Sequence, residues 1–219
     1  ELTGDLIPGK FGGTDFSNSL LVGHTTTGSL DAAGNNTGVG YYALDALTSG
    51  DNNTAIGWGA VGNVTTGVLN TGMGVRSLQS VVSGHRNAAL GYIAGDKVTG
   101  NYNLCLGAYA GDTITSGDGN VIVGAYADVT SATDDRQLMI SGYDGTTTTT
   151  WIDGDSSGNL TFTGNLSSSS ATSTNPIVTL TNTNTDANGS ILKFVKDAGE
   201  AGAANDISGL ISFYADDAG

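Results

Sequence analysis

The sequence predicts an all-β fold, a repetitive parallel β-roll or β-solenoid with a 17-residue period. Three observations predict it. The pattern Asn-x-x-aliphatic-Gly recurs at Asn36, Asn53, Asn70, Asn87, Asn103 and Asn120, with Ser19 in the same register at the start. The numbering steps between successive copies are 17, 17, 17, 17, 16 and 17. Each copy is broken twice by glycine and lacks the apolar stripe of a helix, but it suits short strands joined by tight turns.

In chain order, residues 1–17 are a lead-in and residues 18–133 hold seven repeat units. The unit runs aliphatic-Thr-Ser-Gly-x-x-Asn-Thr-x-aliphatic-Gly-x-x-Ala. Gly50, Gly67, Gly84, Gly100 and Gly117 stand three residues before the Asn. The aliphatic column after the Asn is Val22, Val39, Ile56, Met73, Leu90, Leu106 and Val123, expected to form the core. An Ala column follows at Ala43, Ala60, Ala94, Ala110 and Ala127, with Ser77 as the exception. A second aliphatic column runs Leu47, Val64, Val81, Val98 and Ile114.

One unit per turn places like residues above one another at the strand spacing of ~4.8 Å, so seven units make a rod roughly 30 Å long. Asn36, Asn53, Asn70, Asn87, Asn103 and Asn120 would then form a structural ladder of stacked amides, each donating to one neighbour and accepting from the other. Two or three buried aliphatics per unit are few against the entropy of ordering the whole unit, which predicts association of several chains.

Composition excludes several classes. The 219 residues include 35 Gly and 2 Pro, yet 38% are hydrophobic and recur regularly, unlike a flexible linker. The net charge is −14 with only seven basic residues, so neither nucleic acid nor an anionic membrane surface is an expected partner. No apolar run approaches a membrane span, and no membrane insertion is expected. Cys105 is the single cysteine and cannot form an internal disulfide. With two histidines besides, no metal site or other cofactor is expected. The chain begins at Glu1, as a fragment or a processed product would.

The stretches "NTAIGWGA" and "NAALGYIA" resemble the head repeat of trimeric autotransporter adhesins. With "TSGDNNTAIG" and "TTGVLNTGMG" at a 17-residue period, the chain looks more like the repeat or shaft region of bacteriophage tail fibres. In both families the resemblance implies a homotrimer of β-rolls or interlaced β-structure. It covers residues 18 to about 133 and specifies architecture far better than receptor.

After the repeat, residues 134–166 form a β-rich transition or neck segment, with strand-like runs at 137–140 and 148–152 and alternation over 159–163. The rhythm of the repeat is expected to stop here. Residues 167–175, "SSSSATSTN", are a Ser/Thr-rich linker. Residues 176–219 form a second β-module in which "ILKFVKDAG" aligns with "LISFYADDAG"; the copy ends at Gly219, as if truncated.

Chemical motifs are weak. "GDSSG" at 154–158 satisfies G-x-S-x-G, but no helix follows it and the histidines, His24 and His85, lie in the repeat, so a turn between strands is expected. "GVGYYA" at 38–43 matches a dinucleotide pattern only because the repeat does. Asp51 and Asp118 share a column with Val68, His85 and Asn101, which suits solvated carboxylates rather than a calcium site. Tyr41, Trp58 and Tyr92 follow the repeat Gly directly, and Tyr42, Tyr109 and Tyr126 come one later. Strand alternation would separate these into two sets. Tyr41, Trp58 and Tyr92 are candidates for packing at a seam between chains or for contact with a glycan.

The expected function is therefore structural and non-enzymatic: a trimeric shaft of a phage tail fibre, located in the virion and supporting host attachment. Its partners would be its own copies, other virion tail proteins and, at the host, a cell-surface glycan or protein. The alternative is the head domain of a bacterial trimeric adhesin at the cell surface. An ice-binding or other β-solenoid is a third class, but ice binding needs stacked Thr-x-Thr rows, and the run at 146–150 lies outside the repeat.

Overall fold

The computed structural model describes residues 9–11, 14–23 and 27–164, which fall in one compact unit covering residues 1–166. The linker and second module expected at 167–175 and 176–219 lie outside the described residues.

Among the described residues there are thirteen strands and no helix. They are β1 (Gly9–Phe11), β2 (Phe16–Ser17), β3 (Leu20–Val22), β4 (Ala33–Gly34), β5 (Thr37–Val39), β6 (Thr54–Ile56), β7 (Thr71–Met73), β8 (Ala88–Leu90), β9 (Leu104–Leu106), β10 (Val121–Val123), β11 (Leu138–Tyr143), β12 (Thr148–Gly154) and β13 (Leu160–Phe162). Strands β3 and β5 through β11 pair in parallel, each with the next. The protein is a β-solenoid of about seven turns with a 17-residue period, as the sequence predicts. Strand β1 closes one edge antiparallel to β3; β12 and β13 extend the other edge antiparallel to β11.

Like residues stack. Thr54 pairs with Thr71, Ala55 with Gly72 and Ile56 with Met73. The one shortened unit leaves this register intact, with Ala88 opposite Leu104. Its deletion falls in the loop, where Val98-Thr99-Gly100 replaces Val81-Val82-Ser83-Gly84. The glycine after each strand permits the close stacking. Gly57 has φ of +130°, and a Cβ there would lie 2.6 Å from the carbonyl oxygen of Gly74 one turn on. Any side chain would force the turns apart.

The core corrects one expectation. Val22, Val39, Ile56, Met73, Leu90, Leu106 and Val123 do not line the interior: Val39, Ile56, Met73 and Leu90 are exposed and the other three are half-buried. The interior strand positions are Leu21, Gly38, Ala55, Gly72, Ala89, Cys105, Ile122 and Met139, each one residue earlier. The reason is strand parity. The buried Asn points inward, so the second residue after it points inward and the third, the aliphatic one, points out. Ala43, Ala60, Ser77, Ala94, Ala110 and Ala127 are buried, as are Leu47, Val64, Val81, Val98 and Ile114.

Volumes across this narrow interior are matched. Where the strand residue is small, at Gly38, Ala55 and Gly72, the turn supplies Leu44, Val61 and Leu78, all fully buried. Where the strand carries Cys105, the turn supplies Gly111, and a Cβ there would sit 2.7 Å from Cys105 Sγ; in the turn of Ala89, the space beside Gly95 is taken by Leu78 and Cys105 of the neighbouring turns. This is the complementary filling of a close-packed interior.

The repeat also runs one turn further than the sequence suggests. Gln137 stands one full period after Asn120, and β11 pairs with β10 in the same register. Residues 134–140 therefore continue the solenoid; pairing with β10 ends at Ile140, and the β11–β12 pairing shifts register between Ile140 and Ser141.

Candidate functional site

The solenoid presents three arrangements with a bearing on function: an internal polar ladder, an outward aliphatic column, and clustered aromatics on the turns.

The ladder is built from Asn36, Asn53, Asn70, Asn87, Asn103 and Asn120, all buried to within 1%. Asn70 donates its backbone N–H (3.0 Å) and its Nδ2–H (3.1 Å) to Oδ1 of Asn53, and donates from Nδ2 to the carbonyl of Gly84 at 2.8 Å. The same pattern joins Asn53 to Asn36, Asn87 to Asn70, Asn103 to Asn87 and Asn120 to Asn103. Ser19 begins it, its Oγ accepting the N–H of Asn36 at 2.8 Å. Gln137 ends it. Its N–H reaches Oδ1 of Asn120 at 2.8 Å, and its longer amide bonds Ser131 and Asp134 carbonyls at 2.7 and 3.0 Å. The ladder satisfies buried polar groups inside one chain.

A second ladder, of opposite direction, went unread in the sequence. Asp51, His85, Asn101, Asp118 and Asp135 each accept a backbone N–H from the preceding turn. The donors are Gly34 (2.6 Å), Val68 (3.1 Å), His85 (2.9 Å), Asn101 (2.6 Å) and Asp118 (2.8 Å). Asp51 and Asp118 are thus hydrogen-bonded acceptors rather than purely solvated carboxylates. The signal was the shared need for an acceptor, which Asp, Asn and His can all meet.

The aliphatic column is the exposed apolar feature of the sheet. Val39, Ile56, Met73 and Leu90 are 38%, 39%, 40% and 54% exposed and stand on consecutive, hydrogen-bonded strands. Toward the later turns a second outward column also becomes apolar, as Thr37, Thr54 and Thr71 give way to Ala88, Leu104, Val121 and Leu138. Aligned apolar side chains over neighbouring strands form a contiguous patch of the kind that marks an interaction surface.

Comparison of the chain with known protein families, with curated proteins and with solved structures gives no match. What these faces can do therefore rests on their geometry.

The aromatics form two clusters, which corrects the expectation of two separated sets. Tyr41 and Tyr42 lie edge-on with centroids 4.1 Å apart, and Tyr42 meets Trp58 at 5.8 Å. Tyr92, Tyr109, Tyr126 and Tyr143 run up successive turns at 5.3, 4.7 and 4.4 Å. Strand alternation does not apply, because these residues follow the strand in a turn where Tyr42, Tyr109 and Tyr126 take φ of 63°, 58° and 54°. Tyr92 thus neighbours Tyr109, while Tyr41 and Trp58 belong to the other cluster. Hydrogen bonding with Tyr41 holds the Tyr42 phenol above its ordinary range, and Tyr92 does the same for Tyr109.

Other motifs resolve structurally. Residues 154–158 form the β12–β13 turn, in which the Asp155 carboxylate accepts the N–H groups of Ser157 and Asn159 at 2.9 and 3.0 Å. Among the described residues no group of three His, Cys, Asp or Glu could hold a metal ion, and no helix is long and apolar enough to cross a membrane.

Proposed function

We propose that the chain is a shaft segment of a homotrimeric phage tail fibre, in which copies associate through the outward aliphatic column and the assembled rod supports host attachment in the virion. One observation carries the reading: the column of Val39, Ile56, Met73 and Leu90 is exposed in the single chain although it is the most regular apolar feature of the repeat. A monomeric solenoid gains only modest cross-strand packing from an aliphatic row on its outer face, whereas a fibre would bury that row against its own copies. The repeat pattern and its resemblance to tail-fibre repeats support the virion setting. So does a framework of stacked glycines and amide ladders, suited to a passive, load-bearing rod.

Sequencing the flanking DNA tests the setting. Genes for other virion tail components around this one are the expected result. A C-terminal membrane barrel downstream of the repeat in the same reading frame would overturn it in favour of a bacterial surface adhesin.

A further inference from the structure

The turns of the solenoid are not equivalent, and one of them carries a notch. Two columns follow each strand glycine, at the second and fifth positions. In four turns they hold Tyr42 and Asp45, Arg76 and Gln79, Ile93 and Asp96, and Tyr109 and Asp112. In the turn after Gly57 both positions are glycine, Gly59 and Gly62, and both backbones are buried at the floor of a depression. The depression has a volume of about 240 Å³ and is bounded by Tyr42 and Asp45 of the turn before, Gln79 of the turn after, and Trp58 and Asn63 of its own. Its flanking turns are two strand spacings apart, roughly 9–10 Å, room for one flat ring between side-chain walls.

The lining has a definite chemistry. Trp58 is 45% exposed and Tyr42 40% exposed, and they meet edge to face, so large aromatic surface borders the notch. Among the described residues, its polar side chains are two carboxamides, one carboxylate and the Tyr42 phenol, with no lysine, arginine or histidine. Arg76, on the turn after, is bound on two sides, donating from Nε to Gln79 Oε1 at 2.6 Å and pairing with Asp96 at 3.0 Å. That bond also orients the Gln79 amide. Its Nε2 lies 3.3 Å from the site a Cβ on Gly59 would occupy, so an N–H donor overhangs the floor. Aromatic surface beside amide donors and carboxyl acceptors matches a ring with one apolar C–H face and a rim of hydroxyls. The missing cation and the net charge of −14 disfavour phosphorylated, sulfated or carboxylated ligands.

We propose that this notch binds a single neutral pyranose unit of an oligosaccharide, with its C–H face against Trp58 and Tyr42 and its hydroxyls on Asp45, Asn63 and Gln79. All of its lining residues belong to one chain.

Saturation-transfer NMR on the full chain tests it, with glucose, galactose, mannose and N-acetylglucosamine at millimolar concentration and glucuronic acid as the charged control. Two variants accompany the wild type. Gly62→Gln fills the notch with the residue that the next turn carries in the same column, and Trp58→Ala removes the aromatic wall. Thermal melts confirm that each is folded. The expected result is transfer to the ring protons of at least one neutral sugar, weakened at least tenfold in both variants. Absence of transfer from every neutral sugar, undiminished transfer in Gly62→Gln, or equal transfer to glucuronic acid would overturn the proposal. The chain mass in solution reports on self-association separately, so either idea can fail without the other.

Discussion

Oδ1 of Asn53 accepts two hydrogen bonds from Asn70 one turn on, from the backbone N–H at 3.0 Å and from Nδ2 at 3.1 Å. Both residues are fully buried. Each rung therefore depends on the next, because every internal Asn accepts for one neighbour and donates to the other. Alanine at Asn70 would remove the acceptor for the N–H and Nδ2 of Asn87 and a donor to Gly84. Since each orphaned buried group costs about 1–3 kcal/mol, Asn70→Ala is expected to lose about 3–5 kcal/mol of stability in urea unfolding. Asn70→Asp adds a buried charge facing two acceptor oxygens. Its folded-state pKa must lie above the unfolded value, so this variant is expected to lose stability as pH rises and to be more stable at pH 4 than at pH 7.

A second prediction concerns backbone strain. The residue before each ladder Asn has a left-handed conformation, yet Leu69, Arg86 and Tyr102 occupy it with φ of 61°, 59° and 60°. Asn35 and Asn52 show the residue type that tolerates it. Leu69 is 44% exposed and loses little packing on replacement. Leu69→Asn is therefore expected to stabilise the chain by about 0.5–1 kcal/mol, read as a higher urea midpoint with an unchanged slope.

Cys105 supplies a third. It is fully buried on a central strand, and burial, aided by the nearby Asp128 carboxylate, raises its thiol pKa to about 12. The thiolate is the reactive form. Iodoacetamide at pH 8 is expected to leave the native chain unlabelled and to modify Cys105 only in denaturant. Rapid labelling without denaturant would mean that the central turns open readily.

The β11–β12 hairpin provides a pH prediction. The Asp144 carboxylate accepts the N–H groups of Thr147 and Thr146 at 2.8 and 2.9 Å, and these bonds lower its pKa to about 2. A depressed folded-state pKa means stabilisation that is fully present above the ordinary aspartate value of about 3.9 and lost as pH falls toward 2. Amide protection at Thr146 and Thr147 should fall across that window, and Asp144→Ala should lack the pH dependence.

Much of this fold was legible from spacing. The Asn, Gly and Ala columns recur because each position has one residue type that stacking allows: Asn to bridge turns, Gly where a Cβ would strike the next carbonyl, and Ala where the interior is narrow. The aliphatic column was misplaced because hydrophobicity suggested the interior, although the buried Asn three residues earlier sets the opposite parity. Gln137 was missed because a longer amide substituted for Asn. The Asp51-to-Asp135 ladder was missed because its members share only an acceptor. The aromatic clusters depend on turn φ values that residue identity does not disclose.

The outward aliphatic column as a self-association face is the central claim, and the mass of the chain in solution tests it most directly. Static light scattering after size exclusion should give three times the single-chain 21.9 kDa at micromolar concentration. Leu90→Lys, at the most exposed position of the column, should shift it to one chain without loss of β-structure. A wild-type mass of 21.9 kDa, or a Leu90→Lys variant that assembles as the wild type does, would contradict the account.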